Sequence, residues 1–482
     1  MALTPLDLAV VVAYLAGITL FGAHFRRRQH NLRDYFLGGR RLPWWAITLS
    51  IVSAETSILT IVSTPGIAYS SNLNFLQLIF GYLVARVVVS FVLIPRYFKG
   101  EIFTAYQFIE RRFGRALKTL TAGLFISTRA LAEGVRVFAI AIVFEVIFKT
   151  GILFSVVVVS SLTVLYTLQG GFTAVIWTDV IQLSIYLTGT VVALALALHA
   201  LPGGWIFVSQ LASVSGRKLA IVNFSFNWHA PYLFWSGLIG GTFLCSASHG
   251  ADQLIVQRLL AARNKRQSQA ALLASGLVIL FQFALFLVMG VVLFAYYHRF
   301  PPGKAFARSD QIYPYFVVHS LPPGLAGLLT AAIIAAGMAN LSAALNALSS
   351  SSMMDFYRSW RKRGEDEARD VRVSRAMTLF WGIALIVFAL LAQRMKESVL
   401  VLALTIASFP YGSMLGVFLL GALVNRANER GVFAGAIAGL VVLLLVAGLT
   451  PIAWTWYVAV GATATFVMGW AASLLFAGGE AS

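Results

Sequence analysis

Ser50-Ile-Val-Ser-Ala-Glu-Thr-Ser57 lies within an otherwise apolar stretch, and Pro65-Gly66 follows within three turns of helix. An ionised carboxylate such as Glu55 is costly at the depth of a lipid bilayer because it has lost its water. Non-helical backbone persists at that depth only where it lines a cavity or is buried in protein. We therefore expect a membrane helix that is interrupted at a functional site, as in a carrier.

The composition is that of a polytopic helical membrane protein. Of the 482 residues, 59% are hydrophobic and only 11% are charged, and the mean hydropathy is +0.83. A soluble domain has about a quarter of its residues charged. The apolar runs match the roughly 20 residues that a helix needs to cross a bilayer. They exclude a transmembrane barrel, whose strands alternate over about 10 residues.

The apolar runs predict about thirteen transmembrane helices. Their ranges are 4–25, 44–70, 73–98, 115–148, 151–169, 171–200, 230–258, 268–297, 323–355, 374–393, 397–424, 430–449 and 452–476. The stretches between them are short and polar, so we expect no soluble domain large enough to fold alone. The predicted fold class is therefore an all-α polytopic membrane protein.

The net charge of +18 indicates membrane topology rather than a nucleic-acid partner. With the N-terminus outside, 25 of the 36 Lys and Arg residues fall in cytoplasmic loops and 8 in external loops. An excess of basic residues in cytoplasmic loops is the positive-inside rule. We predict that the N-terminus lies outside and the C-terminus inside, with no obligate protein partner evident. The single Cys245 excludes an internal disulfide framework and a multi-cysteine metal site.

A second polar interruption lies in the other half of the chain, where the sequence reads Cys245-Ser-Ala-Ser-His-Gly-Ala-Asp252. Each interruption opens a group of five predicted spans, and an odd number per group places the two groups in opposite orientations. Paired discontinuous helices are the best sequence indication of a binding site halfway across the membrane. The alternative is that both segments are kinks packed by small residues. The resulting organisation is a first helix and loop (1–43), repeat one (44–200), an external loop (201–229), repeat two (230–424) and two final helices (425–482).

Short motifs of one membrane-protein family lie in order along nearly the whole chain. They are Asp34-Tyr-Phe-Leu-Gly-Gly-Arg40, Leu42-Pro-Trp-Trp45, the segment from Ser50 to Ser57, Thr104-Ala-Tyr-Gln-Phe-Ile-Glu-Arg-Arg-Phe-Gly114, Tyr166-Thr-Leu-Gln-Gly-Gly-Phe-Thr-Ala174, Trp177-Thr-Asp-Val-Ile-Gln182, Gly250-Ala-Asp-Gln-Leu-Ile-Val-Gln-Arg258 and Asn340-Leu-Ser-Ala-Ala-Leu-Asn346. In this order they resemble the sodium/solute symporters. That family includes bacterial proline, sialic-acid and galactose transporters and the animal sodium/glucose cotransporters.

The resemblance implies the leucine-transporter-type fold, a five-plus-five inverted repeat with extra helices at both ends. It also implies that an inward sodium gradient drives uptake of a small organic solute. The family's principal sodium site lies between the first helix of repeat one and the third helix of repeat two. The matching positions are Ser53, Thr56, Ala336, Ala339 and Asn340.

Two of these positions depart from the family, which carries a Ser/Thr pair where this chain has Ala339 and Asn340. Ala339 brings no side-chain oxygen, and Asn340 brings an amide carbonyl in place of a hydroxyl. Sodium coupling is the leading interpretation, with no cofactor beyond that ion. Proton-coupled or uncoupled movement through the same fold is the alternative.

Two acidic residues are candidates for a second ion site or for coupling. Glu55 occupies a position where proline-type members also carry an acid, and the alternative is a structural ion pair with Arg129 or Arg136. Asp179 matches a position where some members place a second sodium or an ion-exit step. Its alternative is an acid at a helix end, held by local hydrogen bonds with Thr178 or Gln182.

The predicted solute-binding residues lie on both interrupted helices and on their neighbours. Ser57 and Thr60 are one turn apart, so both are able to face one cavity. The set is Ser57, Thr60, Gln77, Arg136, Cys245, Ser248 and His249. An arginine suits an anionic solute through its two-pronged donor geometry. Interhelical hydrogen bonding, or a self-neutralised ladder of Arg129, Glu133 and Arg136, is the alternative.

The leading function is secondary active transport by alternating access, in the bacterial inner membrane. The solute is a sugar, a carboxylate or an amino acid. An enzyme is disfavoured because the chain has no HExxH motif and no evident Ser/His pairing. A channel is disfavoured because no filter-like repeat is present. Gln282 and Tyr411 are further candidates, the latter at a gate beside Pro410.

Overall fold

The computed structural model describes residues 3–24, 32–148, 150–303, 306, 309–360, 367–392 and 399–477. Within these ranges the chain is almost entirely helical. The first ten α-helices are α1 (Pro5–His24), α2 (Leu32–Leu37), α3 (Trp44–Glu55), α4 (Ile58–Ser70), α5 (Leu76–Val88), α6 (Ile94–Tyr97), α7 (Ala105–Phe113), α8 (Arg115–Phe148), α9 (Ile152–His199) and α10 (Trp205–Val214). The other ten are α11 (Gly241–Gly250), α12 (Gln253–Leu260), α13 (Lys265–Arg299), α14 (Ile312–Ser320), α15 (Leu325–Ser351), α16 (Arg358–Trp360), α17 (Glu367–Ala392), α18 (Val399–Leu423), α19 (Glu429–Leu449) and α20 (Tyr457–Ala477).

Each of the thirteen predicted ranges falls on a described helix or on a helix pair. Among the described residues, seven helical segments are individually long and apolar enough to cross a membrane, and the bent pair formed by α3 and α4 makes an eighth if it is one span. The number of spans and the sides on which the termini lie remain predictions. Five short helices, α2, α7, α10, α14 and α16, lie where we expected loops, because helices of ten residues or fewer carry too weak a periodic signal.

The first interruption separates α3 from α4 by a bend of 63°. Helix α3 ends at Glu55, and Thr56 turns into extended backbone with ψ of 107°. Ser57 then caps α4 by accepting a hydrogen bond from the Thr60 amide at 3.4 Å. Side-chain capping satisfies backbone donors that have no partner within the helix. The polar residues of the motif therefore stabilise the break itself.

The second interruption separates α11 from α12. Helix α11 ends at Gly250, and Asp252 adopts extended backbone with φ of −83° and ψ of 125°. The Asp252 carboxylate accepts a hydrogen bond from the Leu254 amide at 2.8 Å and caps α12. Both interruptions that the sequence predicts are therefore present.

Helix α9 contains a third irregular point at Gly171. Its φ of 56° and ψ of −158° are not helical, and a glycine adopts them without steric cost. The predicted boundary between the ranges 151–169 and 171–200 falls at this kink. It divides the long helix into the two segments that the sequence predicts.

Glycines bring α5 into direct contact with the second broken helix. A Cβ at Gly81 would lie 2.6 Å from the carbonyl oxygens of Gly237 and Leu238, and one at Gly241 would lie 2.4 Å from the Leu78 carbonyl oxygen. Small residues at helix contacts let the backbones approach closely in membranes. This packing holds α11 against α5 and so positions one wall of the site.

Candidate functional site

A cavity of about 180 Å³ lies where the two interruptions meet. The first broken helix contributes Ala54, Glu55, Ser57 and Thr60, and the second contributes Ser248, His249 and Asp252. Other lining residues come from the neighbouring helices and loops, among them Tyr82, Arg129, Arg136, Tyr232, Phe283, Tyr411 and Trp454. The structure therefore places both polar interruptions around one cavity.

Glu55 is held by groups that the sequence did not indicate. Its Oε2 atom lies 2.5 Å from Nη2 of Arg86 and 3.4 Å from Nε2 of His249. The predicted structural alternative, an ion pair with Arg129 or Arg136, is wrong. Arg86 and Arg96 are the two basic residues of the range 73–98, and Arg96 lies at its end. The isolated position of Arg86 within the range was the available signal.

Arg86 is buried, and its hydrogen-bond donors contact other protein atoms. Nε donates to Ser275 Oγ at 3.0 Å, and Nη1 donates to the Tyr82 carbonyl at 3.2 Å. Nη1 also lies 3.2 Å from Sγ of Cys245. Cys245 thus faces the guanidinium and does not line the cavity, contrary to the position that we expected for a solute-binding residue.

Glu55, Cys245 and His249 have the donor types of a metal site, with ligand atoms within 4.8 Å of one another. The Arg86 guanidinium contacts all three side chains, at 2.5 to 3.3 Å. A metal cation at this point would meet a fixed positive charge. These three side chains are better described as hydrogen-bond partners that surround the Arg86 guanidinium, which takes the place of a bound cation.

The other predicted solute-binding residues divide into two groups. Ser57, Thr60, Ser248 and His249 line the cavity, and Ser248 Oγ lies 2.9 Å from His249 Nδ1. Gln77 does not line it. Its amide nitrogen donates to the carbonyls of Asn74 and Tyr232, and its oxygen accepts from the Asn223 amide. Gln77 instead ties α5 to the loop that precedes α11.

Helix α8 carries a charged ladder along the cavity. Glu133 Oε1 accepts from Nη2 of Arg129 at 3.0 Å and also from Nη1 of Arg136. Arg129 has a second carboxylate partner, Asp252, at 3.4 Å. Tyr411 donates to the same Asp252 at 2.5 Å. The predicted ladder is therefore present, and it extends to the cap of α12.

The predicted sodium-site residues come together between α3 and α15. Nδ2 of Asn340 donates to the Ala54 carbonyl oxygen at 3.0 Å. Among the described residues, Oδ1 of Asn340 has no hydrogen-bond partner and is buried. Oγ of Ser53 is also buried without a hydrogen-bond partner. Ala336 lies one turn before Asn340 on the same helix face. Ala339 is buried and brings no side-chain oxygen.

Two residues outside the predicted set complete these surroundings. Nε2 of Gln282, on α13, donates to Thr56 Oγ1 at 2.7 Å, which leaves the Gln282 oxygen buried and unpartnered. The Tyr186 hydroxyl, on α9, faces Ser53 and Thr56 and is also unpartnered among the described residues. Several unsatisfied oxygens therefore surround the break in α3, where helix carbonyls have lost their partners.

Asp179 lies within α9 and forms a buried ion pair. Its Oδ2 atom accepts from Nη2 of Arg258 at 2.8 Å and from Ser50 Oγ at 2.5 Å, and both members of the ion pair are 0% exposed. The alternative that we considered, local hydrogen bonds with Thr178 or Gln182, is wrong. Arg258 lies on α12 and Ser50 lies on α3, so these contacts join α9 to one half of each broken helix.

Comparison with known proteins agrees with this architecture. The sodium:solute symporter family profile matches residues 35–439. The sodium/sialic acid symporter NanT of Aliivibrio fischeri is 28% identical over 480 residues, which are 98% of this chain and 93% of that protein. The human sodium/iodide cotransporter is 30% identical over 91% of this chain and 68% of its own length. Human sodium-coupled monocarboxylate transporter 1 is 29% identical over 89% of this chain and 71% of its own length.

Solved structures confirm the predicted fold class. A sodium-coupled sialic acid symporter in its substrate-bound, outward-open state matches with a TM-score of 0.89 at 26% identity, over 98% of both chains. A nucleobase-cation-symport-1 family transporter in a closed conformation matches with a TM-score of 0.58 at 11% identity, over 92% of this chain and 94% of its own. At that identity the second match supports the fold alone.

Proposed function

Because the chain belongs to the sodium:solute symporter family, we propose that it couples sodium entry to the uptake of a small organic carboxylate. It does so by alternating access as a multi-pass protein of the bacterial inner membrane. No cofactor other than the coupling ion enters the proposal. The relatives named above carry sialic acid, iodide and monocarboxylates, which are anions, and this agrees with a cavity that binds an anion.

The observation that carries the proposal is the position of Arg136. Its side chain lines the cavity and is 19% exposed. Among the described residues, Glu133 is the one carboxylate partner of Arg136. The Oε1 atom that it offers to Arg136 also accepts from Arg129. Arg136 therefore retains donors for a planar, two-oxygen anion, and arginine binds carboxylates through such a fork.

Charge balance supports an anionic solute that enters together with sodium. In and beside the cavity, the guanidinium groups of Arg86, Arg129 and Arg136 form ion pairs with three carboxylates. These are the carboxylates of Glu55, Glu133 and Asp252. An unpaired charge is costly in such a buried place. A carboxylate and a sodium ion that bind together add no net charge, so each favours the binding of the other.

The residues around the break in α3 fit a sodium ion. A hard cation prefers oxygen ligands, and Ser53 Oγ and Asn340 Oδ1 are buried oxygens with no partner among the described residues. The carbonyl oxygens of Ser53, Thr56 and Ala336 would complete the set. When bound, sodium supplies the positive charge and the gradient that drive accumulation. Asn340 orients its own oxygen because its amide group is fixed on the Ala54 carbonyl.

The sodium assignment is tested by two opposite substitutions. Asn340→Ala removes the buried oxygen and should raise the half-saturating sodium concentration by about tenfold or more. Ala339→Ser adds the missing hydroxyl and should lower that concentration. The measurement is sodium-dependent stabilisation of the purified protein against heat, followed by counterflow in proteoliposomes. Unchanged sodium dependence in both variants would contradict the assignment, and counterflow that follows pH but ignores sodium would favour a proton-driven carrier.

The solute assignment is tested by binding of propionate, lactate, hexanoate and gluconate in sodium buffer. We expect at least one to bind and Arg136→Gln to weaken it by about tenfold or more, since a charged hydrogen bond is lost. Arg217→Gln, at an exposed loop position, is the control. Binding of glucose but of none of the four acids would overturn the proposal.

The coupling or second-ion roles of Glu55 and Asp179 stay predictions. A guanidinium group lies beside each of the two carboxylates, and its positive charge argues against a second bound cation.

A further inference from the structure

The two carboxylate oxygens of Glu55 have different surroundings. Oε2 is held by Arg86 and His249, at 2.5 and 3.4 Å. Among the described residues, Oε1 has no hydrogen-bond partner, and the Glu55 side chain is 14% exposed where it lines the cavity. One oxygen is thus anchored to the protein, and the other is an acceptor turned to the space that a solute would fill.

Arg86 holds the Glu55 carboxylate in this position from outside the cavity lining. Its guanidinium is 1% exposed and contacts Ser275, Tyr82 and Cys245 as well as Glu55. It has no place in the cavity lining, so it acts on a solute only through Glu55. Because it neutralises the carboxylate, a free acceptor oxygen is able to stay in the cavity without a bound cation.

The chemistry of a free acceptor beside a fixed guanidinium favours a neutral donor. An ammonium group that approached Oε1 would also approach the positive charge of Arg86 on the other oxygen. A hydroxyl group meets no such repulsion. The hydroxyl side chains of Ser57 and Thr60 line the same cavity, and each both donates and accepts.

We propose that Glu55 accepts a hydrogen bond from a solute hydroxyl group, and that the solute is therefore a hydroxylated carboxylate. This inference rests on the proposed function, in which Arg136 binds the carboxylate end. Glu55 is the residue that distinguishes a hydroxy acid from the corresponding plain acid. Arg86 is a positioning residue that holds the Glu55 carboxylate ionised and aimed into the cavity.

The test measures binding of two matched pairs of acids to the purified full-length protein in sodium buffer. The pairs are propionate with lactate, and hexanoate with gluconate. The hydroxylated member of at least one pair should bind about tenfold to a hundredfold more tightly, because a hydrogen bond to a charged group is added. Alanine, which replaces the lactate hydroxyl with an ammonium group, should bind more weakly than lactate.

The variants separate recognition from folding. Glu55→Gln combined with Arg86→Gln removes both charges together and should reduce the preference to about threefold or less, with little change for the plain acid. Arg86→Gln alone should also lower the preference, whereas a purely structural role would weaken both acids equally. Arg86→Lys keeps the charge and should restore part of the preference. The charge-balanced control is Glu110→Gln with Lys118→Gln, a pair outside the cavity.

Each outcome has one meaning. Equal, sodium-dependent binding of both members of both pairs overturns the role of Glu55 and leaves the proposed function intact. Tighter binding of alanine than of lactate overturns the assignment of a hydroxyl group. An equal loss for both acids in the Glu55/Arg86 double variant shows that the pair is structural and overturns the proposal. Absence of binding by all four acids overturns the proposed function and this inference with it.

Discussion

The buried ion pair between Asp179 and Arg258 offers the sharpest energetic test of the fold. Both side chains are fully buried, and their charged atoms lie 2.8 Å apart. Ser50 donates to Asp179 at 2.5 Å and accepts from Nε of Arg258 at 2.8 Å. The three residues come from α9, α12 and α3, so the pair connects both broken helices to the same long helix.

Removal of one partner should be far more damaging than removal of both. Asp179→Asn leaves a buried guanidinium unpaired, and Arg258→Met leaves a buried carboxylate unpaired. Each single change should lower the free energy of unfolding by about 3–5 kcal/mol. The double variant leaves no buried charge and should lie within about 2 kcal/mol of the original protein. The expected coupling energy is therefore about 3 kcal/mol or more.

The assay is denaturant unfolding of the purified protein in detergent micelles, followed by the fluorescence of its 11 tryptophans. The same cycle at Arg33 and Glu101, whose side chains are 50% and 73% exposed, should give a coupling energy of at most about 1 kcal/mol. If the two single effects at Asp179 and Arg258 simply add in the double variant, the two groups do not form a coupled buried pair. The account of how α3, α9 and α12 are joined would then be refuted.

Two further predictions concern helix contacts. Gly81→Ala would place a Cβ 2.6 Å from two carbonyl oxygens of the second broken helix and should cost about 1–3 kcal/mol by overpacking, whereas Gly123→Ala, with nothing within 4 Å, should be neutral or slightly stabilising. Equal melting temperatures for these two variants would contradict the close α5 contact. Asp7 accepts from the amides of Gly324 and Gly327 at 2.7 and 2.8 Å and so caps α15. Asp7→Ala should therefore lower the stability by about 0.5–2 kcal/mol, and an unaltered unfolding curve would exclude that role.

The helices and their interruptions were predictable because their causes are local. Apolar runs of membrane length fix the long helices, and the caps at Ser57 and Asp252 are encoded within one turn of each break. The kink in α9 falls at Gly171, a residue type that adopts its positive φ without steric cost. The shared cavity was also expected from the sequence, since non-helical backbone at membrane depth persists only where it lines a cavity or is buried in protein.

The partners of the charged residues were not predictable from local sequence. Glu55 meets Arg86, 31 positions away, and Asp179 meets Arg258, 79 positions away. Such pairs depend on how helices are rotated about their axes, which periodicity within a single helix does not define. The misplacement of Gln77 has the same origin, because two of its three partners lie in a loop 146 and 155 positions away.

Solute protection of the two interruptions tests the central claim most directly. In a Cys245→Ser background, Ser57→Cys and Ser248→Cys each place one thiol on a different broken helix, and Ser215→Cys, at an exposed position in the loop after α10, is the control. A carboxylate that binds should protect both cavity thiols from a maleimide with the same half-saturating concentration, and should leave the control unaffected. If the solute protects one interruption and not the other, the two segments do not enclose a common site and the carrier mechanism proposed for this protein is contradicted.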